Sequence, residues 1–218
     1  MSHGTKRQAC KQCLHPINTC LCELIQPVQN QVELIILQHP MEVKQAKNTA
    51  QLLHLCLNNS QLYIGETFSQ AFFAERQASA SDPAQGQIYN LLLYPDTPEE
   101  KSLGIASSPP LDSEKLQAAA NTPNISILRL WVLDATWRKS RKMLYLNREL
   151  QIMPRLSLVD APTSHYSIRK AHSENQLSTL EASCYALRQL EHNRVDYGPV
   201  LKAFADFVTR YKTFIPSP

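Results

Sequence analysis

Glycine is scarce in this chain of 218 residues: there are five, and none forms a Gly-x-Gly-x-x-Gly or Gly-Lys-Ser/Thr arrangement. A phosphate-cradling loop needs such glycines, so a Rossmann dinucleotide enzyme is disfavoured. Long apolar runs are lacking as well, and none approaches the roughly 20 residues of a membrane span. The opening MSHGTKRQACKQC has no apolar core of a signal peptide, which sets the expectation of a cytosolic protein. A strong excess of one charge sign is missing too, with 22 Lys and Arg against 19 Asp and Glu. The net charge of +3 permits nucleic acid without demanding it, so an RNA-binding reading has to rest on where the cations cluster.

The hydrophobic fraction of 43% and the length fit one globular domain with a small appendage. The cysteines mark where the appendage lies. Four of the six fall in Cys10-x2-Cys13-x6-Cys20-x-Cys22, and four thiolates within thirteen positions can close a tetrahedral shell around zinc. Structural zinc is the first reading; an iron–sulfur cluster or a metal-free redox pair are the alternatives. Four cysteine ligands leave no open coordination position, so the metal braces residues 1–30 rather than performing chemistry. Cys56 and Cys184 stand alone in apolar helical patterns and read as buried small hydrophobes.

Beyond residue 30 strand and helix patterns alternate. Strands are expected at 32–38, 61–65, 88–94, 125–133 and 156–159, and helices at 43–57, 111–120, 138–146, 178–192 and 197–214. The loop 95–110, rich in Pro, Ser and Glu, has no period and is a candidate lid. This order predicts an α/β domain over 31–218, built on a mostly parallel sheet flanked by helices.

The most informative stretch is 129–144. A short, continuously apolar run, the mark of a strand buried on both faces, ends in Asp134-Ala135-Thr136-Trp137. The four cations Arg138, Lys139, Arg141 and Lys142 follow within five residues. Ligands in parallel sheets bind beyond the carboxyl ends of the strands, so an acid, a hydroxyl and a large aromatic stand where a site is expected. The plainer alternative makes Asp134 a helix cap, Trp137 core and the cations a solvated face. Solubilising faces mix signs, however, and no acid appears here before Glu149, which favours phosphate contact. Arg169, Lys170 and His172 form a second basic group and Lys6, Arg7 and Lys11 a third. Ser178-Thr179-Leu180-Glu181 reads as a capping box, and a helix amino terminus can also hold a carboxylate. His39 and Glu42 read either as strand-end polar groups or as contributors to a site.

The words DATW and RKSRKM resemble the signature of the DTW-domain family. Gln38-His39-Pro40-x-Glu42, Asn48-Thr49-Ala50-x-Leu52-Leu53, Leu92-Leu93-Tyr94-Pro95, Tyr166-x-Ile168-Arg169 and Ser178-Thr179-Leu180-Glu181-Ala182 resemble its other blocks, in the same order. The resemblance implies a tRNA-uridine aminocarboxypropyltransferase that uses S-adenosylmethionine, with a SPOUT-like fold and a trefoil knot in its carboxyl half. It places Asp134, Thr136 and Trp137 at the reaction. It places Leu92, Tyr94, Pro95, Leu133, Ser167, Arg169, Ser178, Thr179 and Glu181 around the donor, and His39, Glu42, Lys44, Arg138, Lys139, Arg141, Lys142 and Lys170 toward the RNA. Its amino-terminal ribbon resembles the Cys10, Cys13, Cys20, Cys22 arrangement. The partner implied is tRNA, modified in its variable loop; a monomer and a homodimer stay open. A SPOUT-type RNA methyltransferase and a non-catalytic zinc-ribbon RNA-binding protein are the alternatives.

Overall fold

The computed structural model describes residues 8–43, 45, 48–77, 87–95, 108–109, 111, 126–158 and 177–213. Two 3-10 turns, Ile17–Thr19 and Cys22–Leu24, precede β1 (Glu33–Gln38). There follow α1 (Pro40–Val43), α2 (Ala50–Cys56), β2 (Ser60–Ile64), α3 (Gln70–Gln77), β3 (Gln87–Leu93) and β4 (Ser126–Asp134). The chain continues with α4 (Trp137–Leu146), α5 (Arg148–Gln151), β5 (Arg155–Leu156), α6 (Thr179–Leu190) and α7 (Gly198–Thr213).

The five strands pair in parallel in the order β2-β1-β4-β3-β5. All six residues of β1 are buried, as a central strand covered on both faces requires. Side chains alternate across the pleat. Leu34, Ile36, Leu130 and Val132 join a core with α2, α6 and α7, whereas Ile35, Leu37, Trp131 and Leu133 join a second core with α3, α4 and α5. Each buried leucine or isoleucine contributes about 1.5–3 kcal/mol. Cys13, Leu21, Leu24 and Val28 belong to the first core, and the His15 ring lies edge-on to Phe207 of α7 at 6.4 Å. The cysteine-bearing segment is thus built onto the sheet domain.

Three elements differ from expectation. The helix expected over 43–57 is α1 and α2, with residues 44, 46 and 47 outside the described residues. Pro40, whose fixed φ suits a helix start, opens α1 directly at the strand end. Asn48 Oδ1 then accepts the N–H of Ala50 at 3.0 Å and restarts the helix. Helix α3 was not expected, because its adjacent Phe72 and Phe73 sit among polar residues without a clear period. Strand β5 ends at Leu156 rather than at 159. The expected helix 111–120 falls, apart from Leu111, outside the described residues, as does most of the loop 95–110. The trefoil knot expected in the carboxyl half involves chain that includes 159–176, which lie outside the described residues.

A buried carboxylate joins the end of α6 to the start of the sheet. Glu191 Oε1 accepts the N–H groups of Gln31 and Val32, each at 2.8 Å, and Oε2 accepts the Tyr197 hydroxyl at 2.8 Å. Burial and the Glu191 charge push the Tyr197 phenol well above its ordinary range, so it stays a donor. Glu191→Ala strands three donors and is expected to cost about 3 kcal/mol in urea unfolding; an unchanged midpoint would remove the anchor from this account.

Candidate functional site

Strands β1 and β4 are neighbours, but the chain leaves β1 for β2 on one side and leaves β4 for β5 on the other. Ligands in open α/β sheets bind at such a switch point, beyond the carboxyl ends of the strands. Gln38 and Asp134 are register partners at those two ends. The Gln38 amide donates to Asp134 Oδ2 at 2.8 Å, and the His39 backbone N–H donates to the Asp134 carbonyl at 3.0 Å. Gln38 and Asp134 are both buried, at 1% and 7% exposure. An oriented carboxylate thus stands at the switch point, where it can accept a proton or a hydrogen bond from a ligand.

Around it the strand ends carry a polar network. His39 Nδ1 accepts the Met41 N–H at 3.1 Å, which leaves Nε2 to donate to Glu66 Oε1 at 3.0 Å. Glu66 Oε2 receives Lys142 Nζ at 2.9 Å, and buried Glu42 receives Lys139 Nζ at 2.9 Å. The Lys142 ammonium first, and His39 second, hold the Glu66 carboxyl below the usual carboxylate range. Those contacts are therefore complete near neutral pH and are lost as the pH falls through that lowered value. Asn147 fixes the segment that carries Glu66: its Oδ1 accepts Phe68 N–H at 2.8 Å and its Nδ2 donates to the Glu66 carbonyl at 3.0 Å.

Helix α4 begins at Trp137 after Thr136, with no acid in its first turn. Cations there oppose the positive end of the helix dipole, at about 0.3–1 kcal/mol each. Helix stability therefore does not account for Arg138 and Lys139. Glu42 offsets part of that cost at Lys139 from another element. Arg138 is exposed, Arg141 half-buried and the Lys142 side chain 58% exposed. Trp137 is 46% exposed and meets the Tyr94 ring edge-on at 5.8 Å.

The residues expected at the site therefore divide. Asp134, Thr136, Trp137, Leu133, Tyr94 and Pro95 gather at the carboxyl edge. The Leu92 side chain lies wholly in the core and its N–H is donated to Pro154 at 3.0 Å. His39 and Glu42 are buried and engaged with Glu66 and Lys139 rather than laid on the surface. Ser178 and Glu181 form a complete capping box at the start of α6, with Glu181 buried; Thr179 opens that helix. Lys44, Ser167, Arg169 and Lys170, with Lys47, Tyr166 and His172, lie outside the described residues. Sequence reasoning missed Glu66, Asn147 and the part played by Gln38. Only Gln38 had a signal, its place before His39-Pro40 at the end of an apolar run.

Ahead of β1, at Cys10, Cys13, Cys20 and Cys22, the four sulfurs converge. Cys10 and Cys22 Sγ are 3.6 Å apart, Cys13 and Cys20 Sγ 3.7 Å, and all four lie within 4.8 Å of one another. Tetrahedral zinc with bonds of about 2.3 Å sets sulfur separations of about 3.8 Å, so the set fits that ion. The backbone N–H groups of Cys13 and Gln12 lower the Cys10 thiol to about 6, whereas desolvation and the neighbouring thiols push Cys22 up to about 12. Among the described residues no helix is long and apolar enough to cross a membrane.

A five-stranded parallel sheet flanked by helices, with a buried acid at its switch point, a basic helix beside it and a four-cysteine cluster before it, defines an α/β protein. The chain belongs to the DTW domain family, whose profile matches residues 7–212. It is 29% identical over 197 residues to tRNA-uridine aminocarboxypropyltransferase 2 of Mus musculus, covering 88% of this chain and 60% of that protein. It is 29% identical over 192 residues to the protein of the same name from Macaca fascicularis (86% and 58%). To that of Drosophila melanogaster it is 28% identical over 191 residues (85% and 68%). The chain thus spans about three fifths of the length of its mouse and macaque relatives. No solved structure matches it.

Proposed function

We propose that this protein transfers the aminocarboxypropyl group of S-adenosylmethionine to N3 of a tRNA uridine, U47 of the variable loop, with release of methylthioadenosine. Relatives bear the name of that tRNA-uridine activity, and the coincidence that carries the reading is the family's Asp-x-Thr-Trp block standing at the switch point of the sheet. In the reaction the uracil nitrogen forms a bond to the methylene beside the sulfonium, the carbon–sulfur bond breaks, and the N3 proton leaves to a base. Asp134 takes that proton or orients the uracil, and Thr136 and Trp137 shape the pocket. Tyr94, Pro95 and Leu133 wall the donor's adenosine, with Leu92 supporting them from the core. Ser178, Thr179 and Glu181, with Ser167 and Arg169, hold its amino acid end.

Arg138, Lys139, Arg141 and Lys142, with Lys44 and Lys170, form the RNA-facing surface, which His39 and Glu42 brace from within. Arg138→Ala is expected to weaken tRNA binding and to lower the slope of log K against log salt by about 1; an unchanged slope removes Arg138 from the interface. In this reading residues 1–30 are a ribbon around a structural zinc held by Cys10, Cys13, Cys20 and Cys22. Residues 31–218 are a SPOUT-like catalytic domain with a carboxyl-half knot, working in the cytoplasm.

The test uses bulk tRNA and two preparations of S-adenosylmethionine, labelled in the methyl group or in the aminocarboxypropyl arm, with nucleoside mass spectrometry afterwards. Arm label in uridine is the expected result. Methyl label in RNA, or no transfer by folded, metal-loaded protein, contradicts the proposal.

A further inference from the structure

Gln38 is tied to the candidate acid by a chain of hydrogen bonds whose direction is fixed at its far end. The Ala50 backbone N–H can only donate, and it donates to Asn48 Oδ1 at 3.0 Å. That oxygen also receives Gln38 Nε2 at 2.9 Å, and the same nitrogen donates to Asp134 Oδ2 at 2.8 Å. Both amide protons of Gln38 are thereby spent, one on Asn48 and one on the carboxylate. Gln38 is 1% exposed and Asn48 7%, so water does not substitute for either partner. The main chain of Gln38 is pinned as well: its carbonyl accepts the Gly65 N–H at 3.0 Å. A buried amide would be satisfied by any backbone carbonyl nearby; here it is aimed at a carboxylate from a neighbouring strand.

We infer that Gln38 is a positioning residue for Asp134. Its N–H, oriented by Asn48 and the first turn of α2, holds the Asp134 carboxylate in one plane and favours its ionised form. The inference rests on the reading of Asp134 as the acid at the reaction. A hydrogen bond donated to a carboxylate stabilises the charged state and keeps its pKa down. Removing the donor makes the acid easier to protonate and frees its rotation, so turnover falls and the acid limb of the pH–rate profile moves upward.

Gln38→Met keeps the length and apolar volume of the side chain and deletes both donors. The expected result, measured as kcat/KM for tRNA against pH, is a 10- to 100-fold loss, on the order of what misplacing a reacting group costs, with the acid limb about one pH unit higher. Gln38→Glu, which sets two carboxylates against each other, moves the limb further in the same direction. Asn48→Ala leaves Gln38 in place but unaimed and gives a smaller shift of the same sign; it serves as the second variant where Gln38→Met folds poorly. Among the described residues the charged groups on the elements around this strand end, His39, Glu42, Glu66, Arg138, Lys139, Arg141 and Lys142, are unaltered in all three, so a shift reports on the carboxylate Gln38 touches. An acid limb that stays in place while activity falls in step with melting temperature overturns the inference and leaves a structural role only. Asp134→Asn, measured alongside, separates the two claims: full activity there overturns the reading of Asp134 and the inference with it. An inactive Asp134→Asn with an unmoved Gln38→Met limb overturns the inference alone.

Discussion

Asp134→Asn is expected to lower aminocarboxypropyl transfer by about 10²- to 10⁴-fold, the range general acid–base groups contribute, while leaving the melting temperature nearly unchanged. The substitution is close to isosteric. Asparagine can still present an oxygen to the Gln38 amide, so the hydrogen bond at 2.8 Å and the pairing of β1 with β4 survive. What is lost is the negative charge and the ability to take a proton from the uracil. A variant that folds and binds donor and tRNA but does not turn over is the result that separates chemistry from scaffold. Single-turnover assays with circular dichroism on the same samples measure it, and full activity would falsify the role given to Asp134.

The second large effect is expected at the cysteine cluster. Cys13 is fully buried and packs in the same core as Leu21, Leu24 and residues of α7. Its Sγ also accepts the Leu21 N–H at 3.4 Å. If the proposed zinc sits there, its loss is expected to loosen the packing against α7 together with the cysteine segment. Structural zinc in small peptides supplies about 10–16 kcal/mol of apparent binding free energy. Even a third of the lower figure, about 3 kcal/mol, lowers the Tm of a domain this size by about 6–12 °C. Cys13→Ser and treatment with a strong chelator are both expected to produce such a drop, with one zinc per chain released on unfolding and measured by elemental analysis. Wild-type protein that carries no zinc, and whose Tm a chelator does not move, would rule out the structural metal.

The parts of the fold that were legible in the sequence are those whose burial leaves a continuous apolar record. The run 32–38 reads as a strand and the run 125–133 as a strand buried on both faces, and they are the two that frame the switch point. The abrupt passage from Leu133 to Asp134-Ala135-Thr136-Trp137 marked the strand end and the acid together. The cysteine spacing announced its cluster for the same reason, that four soft ligands within thirteen positions have few other uses. What was hidden is what depends on pairing across the chain. Counting acids along the helix left the cations of α4 uncompensated until Glu149, yet Lys139 and Lys142 meet Glu42 and Glu66, 97 and 76 residues away in sequence. Gln38 shows no chemistry of its own in the sequence; it gains a role only because parallel register sets it beside Asp134. Helix α3 escaped because Phe72 and Phe73 point their period nowhere, and their burial is decided by Trp131 from β4.

The location of the site is tested most directly by the two tryptophans of the chain. Trp131 is fully buried and its indole N–H is held by Asn90 Oδ1 at 2.8 Å, whereas Trp137 stands half-exposed three residues after Asp134. Titration of indole-labelled protein with S-adenosylmethionine, followed by NMR, is predicted to shift the Trp137 resonance in a saturable way and to leave Trp131 in place. Saturable binding that leaves Trp137 unmoved would put the donor elsewhere and contradict the account.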